Sequence, residues 1–280
     1  MKTGFIGAGK VGFSLGKHFA IHGVEVGGYY SKNPLSARKA ADFTSSQQYD
    51  SLDGILSDND VLFLTVPDSE IQSVWNSLKL LPNIKNKVVC HCSGALSSKI
   101  FPDAGSLPVS VFSVHPIFAF HSKTESYKQL PGAIFTVEGS PQRLDEIAAL
   151  IRKTGNRVRV ISAEAKTKYH AAAVMASNQV TALVHSAIGL LCECGFSPQD
   201  AMDALIPLMF GNLKNIEEVG TVEALTGPVE RNDVCTVQKH LECLDGERRA
   251  LYRELSLVLL EMSREKYPER NYNEIEVLLK

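Results

Sequence analysis

The 280-residue sequence predicts an α/β domain built on a doubly wound parallel sheet, followed by an all-helical C-terminal domain. Three observations predict it. A short apolar strand ending at Ile6 runs straight into Gly7-Ala8-Gly9-Lys10-Val11-Gly12, and an amphipathic helix follows from about Phe13 to His22. Strand and helix patterns then alternate as far as about Ser162. From Ala163 onward no strand pattern recurs, and the remainder reads as helices. The expected domains are residues 1–162 and 163–280.

In the opening element each glycine has its own task. Gly7 permits the tight turn out of the strand, Gly9 lets backbone approach a pyrophosphate without a Cβ in the way, and Gly12 lets the helix pack closely on the strand. The unpaired N–H groups and positive dipole end of the helix then face the phosphates. A glycine-rich turn that holds nothing would show the same letters. The strand before, the helix after and the second strand at Val24–Tyr30 supply the context that a Rossmann-type dinucleotide site requires. Gly7, Ala8, Gly9, Lys10, Val11 and Gly12 are therefore the expected pyrophosphate segment. At the end of the second strand, where an NAD site places an acidic residue on the ribose, the chain reads Tyr29-Tyr30-Ser31-Lys32-Asn33-Pro34. The Ser31 hydroxyl and the Lys32 ammonium suit a 2′-phosphate, so the expected cofactor is NADP, with NAD as the alternative.

Helices are expected at Pro34–Phe43 and around Leu52–Leu56. Asp60–Val66 is a near-continuous apolar run, the pattern of a strand buried on both faces of a parallel sheet. It ends in Val66-Pro67-Asp68, before a helix at about Glu70–Leu80. Further strands are expected at Lys87–Cys92, Val109–Val114, Ala133–Val137 and Val158–Ile161, with a helix capped by Ser140 and opened by Pro141 before the last of them. Ligands of such sheets bind beyond the carboxyl ends of the strands. Val66, Pro67 and Asp68, Ser93-Gly94, and His115-Pro116 should therefore meet at one crevice. The first group is expected on the cofactor, and Ser93 and His115 in the chemistry.

The helical part is expected as Ala163–Cys194, Pro198–Val219, Val234–Leu244 and Glu247–Lys266, with Ser197-Pro198 as a cap and first-turn pair. At about 100° per residue, Lys166, His170, Ser177, Asn178, Thr181 and His185 share one arc of the long first helix. A stripe of His, Asn, Ser and Thr suits a polar cleft, whereas a solvated stripe would carry Lys and Glu throughout. The apolar remainder is wide enough to be buried on more than one side, and a homodimer through the helical half is expected. A net charge of −2 gives no electrostatic footprint for nucleic acid or an anionic membrane. No signal peptide is expected before the first strand, and no apolar run reaches the length of a membrane span. The six cysteines, including Cys90-His91-Cys92 and Cys192-Glu193-Cys194, lack the spacing of zinc pairs. They read as reduced thiols of a cytoplasmic protein without a metal site.

The combination resembles the 6-phosphogluconate-dehydrogenase-like superfamily, and within it the two-domain Rossmann-like family whose helical half carries an unknown-function label. The residues that carry the resemblance are Gly7–Gly12, Thr65-Val66-Pro67-Asp68-Ser69, His91-Cys92-Ser93-Gly94, Ser113-Val114-His115-Pro116, Tyr169–Asn178 and Leu225–Arg231. The resemblance implies an NAD(P)-dependent oxidoreductase acting on a small carbonyl, hydroxy-acid or imino substrate between the domains. His115-Pro116 is similar to the His-Pro of prephenate dehydrogenases, and Ser93 is similarly placed to a serine of that group. Relatives that include ketopantoate reductases use a Lys-x-x-x-Asn pair on the long helix. Asn178 matches that pair, but its lysine position holds Val174. This departure makes His115 or His170 the candidate acid, and it also leaves open a nucleotide-binding sensor without hydride chemistry. Histidine suits an acid near neutral pH, and neutral donors such as Asn and Ser suit the oxygen that develops charge.

Overall fold

The computed structural model describes residues 1–280. β1 (Thr3–Ile6), α1 (Lys10–Ile21), β2 (Val26–Tyr30), α2 (Pro34–Thr44) and β3 (Gln47–Gln48) form the first half of the sheet. α3 (Leu52–Asp58), β4 (Val61–Leu64), α4 (Asp68–Leu78), β5 (Val88–His91) and β6 (Ser110–Pro116) continue it. β7 (Ile134–Gly139), α5 (Leu144–Arg152) and β8 (Arg157–Val160) complete it. The strand order is β3-β2-β1-β4-β5-β6-β7-β8. Its first six strands have the order and the parallel pairing of a doubly wound dinucleotide fold. β7 runs antiparallel to β6, with Val114 opposite Val137 and His115 opposite Thr136, and β8 is parallel to β7.

The apolar runs dictate this arrangement. Every residue of β4 and β5 is buried, so helices must cover both faces of the sheet. One face packs Phe5, Phe19, Tyr29, Phe63 and Phe112 with α1 and α2. The other packs Leu62, Leu64, Ile71, Trp75 and Val89 under α3 and α4. Two local expectations change. The edge strand β3 carries no sign in the sequence, being two glutamines without apolar alternation. Ser140 does not cap a helix: its Oγ accepts from the Val111 amide at 2.9 Å and donates to the Val111 carbonyl, which ties the end of β7 to β6. A 3₁₀ turn at Pro141–Arg143 precedes α5.

The chain forms two units, Met1–Ser177 and Asn178–Lys280. The sheet ends at Val160, and the first unit extends past residue 162 onto the long helix, where the Lys166 side chain is buried against the strand ends. That helix is not uniform. α6 (Lys166–Val174) passes through a π-helical turn at Met175–Gln179 into α7 (Val180–Glu193). The wider turn breaks the regular 100° spacing, so the stripe from Lys166 to His185 is not one continuous face. Taken together, Lys166–Glu193 is 28 residues with a mean hydropathy of 1.3 in its most apolar window. By length and composition this stretch could cross a membrane, which corrects the expectation that none could. Polar residues such as Asn178, Gln179 and His185 interrupt the run as it is read in sequence, but the helix continues through them.

The second unit continues with α8 (Pro198–Val219), α9 (Thr221–Ala224), α10 (Val234–Cys243), α11 (Gly246–Lys266) and α12 (Asn273–Leu279). Ser197 caps α8 as expected, accepting from the Asp200 amide at 3.1 Å. Its core is small: Val229, Val237, Leu241, Leu260, Tyr272, Ile275 and Leu279.

Candidate active site

Two neighbouring constructions occupy the carboxyl edge of the sheet in the first unit. The first is the glycine turn. Gly7 has φ +109°, and a Cβ there would lie 2.6 Å from the Thr65 carbonyl oxygen. A Cβ on Gly12 would lie 2.5 Å from the Gly7 carbonyl oxygen and 2.6 Å from Thr65 Oγ1. The fold itself demands glycine at both positions. Gly9 differs, because a Cβ there would have no neighbour nearer than 3.9 Å. Gly9 is the N-cap of α1, and no side chain caps that helix. Its missing Cβ therefore keeps open the space in front of the helix amides, which fits a pyrophosphate.

A cavity of about 510 Å³ opens there, lined by Gly7, Ala8 and Gly9 after β1, Tyr30, Ser31 and Lys32 after β2, and Thr65, Val66 and Pro67 after β4. Lys10 and Val11 form the first turn of α1 and do not line it. Ser31 and Lys32 lie where a ribose 2′-substituent is read, but Lys32 is exposed and ion-paired with Glu70 of α4. The carboxylate missing from the strand end thus comes from a helix, and no local sequence signal at Tyr29–Pro34 could have shown it.

The second construction lies beyond β5 and β6. Ser93 Oγ donates to Asp68 Oδ2 at 2.6 Å and accepts from the Leu96 amide at 3.0 Å, so both residues are committed to holding the chain at this edge. The side chains of His170 and His115 close over Gly94. A Cβ on Gly94 would lie 2.5 Å from His170 Nδ1 and 3.0 Å from His115 Nε2. The two rings stand nearly perpendicular, with centroids 6.4 Å apart. His115 Nδ1 is bonded to the Tyr169 hydroxyl at 2.6 Å. His170 Nδ1 is buried against Gly94 without a hydrogen-bond partner.

Lys166 lies beneath this group. Its side chain is 1 % exposed. Nζ donates to the Ser93 carbonyl at 2.9 Å and to Ser113 Oγ at 2.8 Å. Burial pulls its ammonium down to about 8, against the opposing pull of Glu138, Cys92 and Asp68. Burial, with the Lys166 charge next in importance and then the His170 and His91 rings, holds His115 down to about 3. His91 is held at about 4, chiefly by burial. His91 Nδ1 accepts from the Ser93 amide at 3.2 Å, so its proton sits on Nε2, which donates to the Ser97 carbonyl.

The strand ends thus bring together Asp68, Ser93, His115 and, from α6, His170. Asn178 belongs to the second unit, within the π-helical turn. His115 is not an imidazole near neutrality, because its surroundings remove the water and add a cation. Tyr169 was missed as a member of the site, and Lys166 was read only as part of the polar stripe, without a role of its own. Tyr169 precedes His170 directly, and Lys166 lies one helical turn before His170. The signal for Lys166 was its place on one arc with His170, four residues on.

The model of the Rossmann-like domain matches residues 1–116, and that of the domain of unknown function DUF2520 matches residues 133–258. No curated protein matches the sequence. Among solved structures, the protein TM1727 from Thermotoga maritima is 26 % identical with a TM-score of 0.75, over 94 % of this chain and 99 % of its own. BF3122 from Bacteroides fragilis, given provisionally as an NADP oxidoreductase, is 23 % identical with a TM-score of 0.71, over 93 % and 98 %. A pyrroline carboxylate reductase from Plasmodium falciparum, solved with NADP bound, is 12 % identical with a TM-score of 0.61, over 95 % and 98 %. The chain thus joins a Rossmann-like domain to a DUF2520 domain.

Proposed function

We propose that the chain is an NADP-linked oxidoreductase, working in the cytoplasm as a reductase of a small carbonyl or imino compound. The observation that carries this reading is the adjacency, along one carboxyl edge, of a glycine cradle open at Gly9 and a pair of histidines that close over Gly94. The fold likeness to a reductase solved with NADP bound supports it, and Ser31 and Lys32 at the same cavity would take a 2′-phosphate once Lys32 leaves Glu70. The free state of all six cysteines is consistent with a reducing compartment.

When bound, the reduced cofactor would supply hydride; the residues of the chain would orient and stabilise. Gly7–Gly12 and the α1 amides would hold the pyrophosphate. His115 is neutral at physiological pH. In this role the Tyr169 hydroxyl donates to His115 Nδ1, 2.6 Å away, which puts the ring proton on Nε2, beside Gly94. There it serves as a fixed donor to the substrate oxygen or nitrogen that gains negative charge. His170 Nδ1, unpartnered in the protein, is the second contact for the same ligand.

The test is NADPH oxidation over a panel of small keto acids, aldehydes and cyclic imines. His115→Ala should leave NADPH affinity unchanged and lower turnover by about 10²–10³, the loss that follows removal of one positioned donor. Tight NADPH binding with no turnover on the panel, or full turnover in His115→Ala, overturns the reading.

A further inference from the structure

We propose that Lys166 is the positioning residue of this site: its ammonium ties the ends of β5 and β6 together beneath Gly94 and sets the charge around His115. The geometry is specific. Ser93 immediately precedes Gly94, over which both histidine rings close. Ser113 stands two residues before His115 on β6, so their side chains leave the same face of the strand. One nitrogen bonds both serines, at 2.9 and 2.8 Å. The same ammonium lies 5.4 Å from the centre of the Tyr169 ring, whose hydroxyl holds His115. Lys166 therefore touches each element that places His115 without forming a bond to His115 itself.

Packing alone does not explain a lysine here. Burying an ammonium costs several kcal/mol unless it is well bonded, and neither bond made by Lys166 is to a carboxylate. Asp68 is held by Ser93, and Glu138 by the amide and hydroxyl of Ser98. A methionine would fill similar space without that cost. The groups facing His115 are Lys166, Tyr169 and His170 from α6, His91 from β5 and Thr136 from β7. Of these, Lys166 is the cation. A like charge at this position disfavours the imidazolium, in keeping with the low value of His115.

The inference rests on the reductase reading only in treating His115 as the donor to substrate, and it is tested without cofactor. In the full-length ¹⁵N-labelled chain, the His115 ring signals are assigned by their loss in His115→Ala and followed with pH. Lys166→Met removes the charge and the clamp; Lys166→Gln removes the charge but keeps a donor for the two serines. Each should raise the His115 midpoint by about one unit or more, with helical content unchanged by circular dichroism. Ser113→Ala keeps the charge and loses one bond, and it should leave His115 neutral. An unmoved His115 in the folded lysine variants overturns the proposal. So does a shift in Ser113→Ala as large as in Lys166→Gln, which would mark general loosening. Absence of NADPH-dependent turnover in the unmodified chain would remove the reductase reading and leave this titration standing.

Discussion

His91 and His115 stand at the ends of adjacent strands, and both rings are held neutral far below the ordinary imidazole range, at about 4 and about 3. The unfolded chain takes up protons on both near pH 6.5, whereas the folded chain resists until those lower values. Unfolding therefore binds protons between about pH 4 and 6.5, and stability must fall as pH falls through that window. For the fully buried His91 the loss approaches about 3 kcal/mol when complete. Urea midpoints measured from pH 7 down to pH 4.5 should decline steadily, and His91→Asn should flatten part of that decline. A midpoint constant over this range counts against the neutral rings. At this scale the sequence was legible where a residue ended a strand: Ser93 and His115 were placed at one sheet edge, where the structure has them. On the helix it was legible only in part: His170 stood out, whereas the role of Lys166 did not. Lys166 was assigned to a cleft-lining stripe by assuming 100° per residue throughout, but the π-helical turn breaks that count and the lysine faces the sheet. The resemblance places a lysine where Val174 stands; this chain buries one two turns earlier.

At the level of the element, the glycine turn separates what folding needs from what a ligand needs. A Cβ on Gly12 would strike the Gly7 carbonyl and the Thr65 hydroxyl. Gly12→Ala should therefore cost stability on the scale of overpacking a tight core contact, about 1–3 kcal/mol. Gly9 has φ −82°, which any residue can adopt, and open space beyond. Gly9→Ala should leave the melting temperature nearly unchanged and weaken NADPH binding about tenfold or more, because the methyl enters the path of the pyrophosphate. Calorimetry and thermal unfolding on the two variants read both effects. A Gly9→Ala chain that binds NADPH normally would refute the cradle. The strand–turn–helix order around this loop was plain in the sequence because apolar runs, glycine spacing and helical period all agreed. β3 was hidden for the opposite reason: a two-residue polar edge strand is held by backbone pairing with β2, which leaves no pattern in side chains.

Across the whole molecule, the change from alternating strands to helices alone was the most readable feature, since it rests on long periodic segments. What the helical part packs against is a different matter. In α7 no residue is buried, and in α8 only Ala201 is. Leu208 and Phe210 are 69 % and 66 % exposed, and Val180, Leu183, Leu213 and Val219 are exposed beside them in the same two helices. Soluble chains rarely leave apolar surface of this kind uncovered. Two covers suit it, a second copy of the chain or a lipid bilayer. Asn178, Gln179, Ser186 and His185 spread polar groups along the α7 stretch, and Lys214, Glu217 and Glu218 charge α8. A bilayer would have to desolvate these groups, whereas a facing helix pair can bond them. We therefore propose a homodimer through α7 and α8, with an interface in the range of stable dimers, about 1,600 Å² or more. Light scattering at micromolar concentration in detergent-free buffer should give twice the 30.6 kDa chain mass. The pair Leu208→Glu and Phe210→Glu should reduce that mass to one chain, because an unpaired carboxylate at an apolar contact is costly to bury. A monomer in the unmodified chain, or retention only on lipid vesicles, would rule the dimer out.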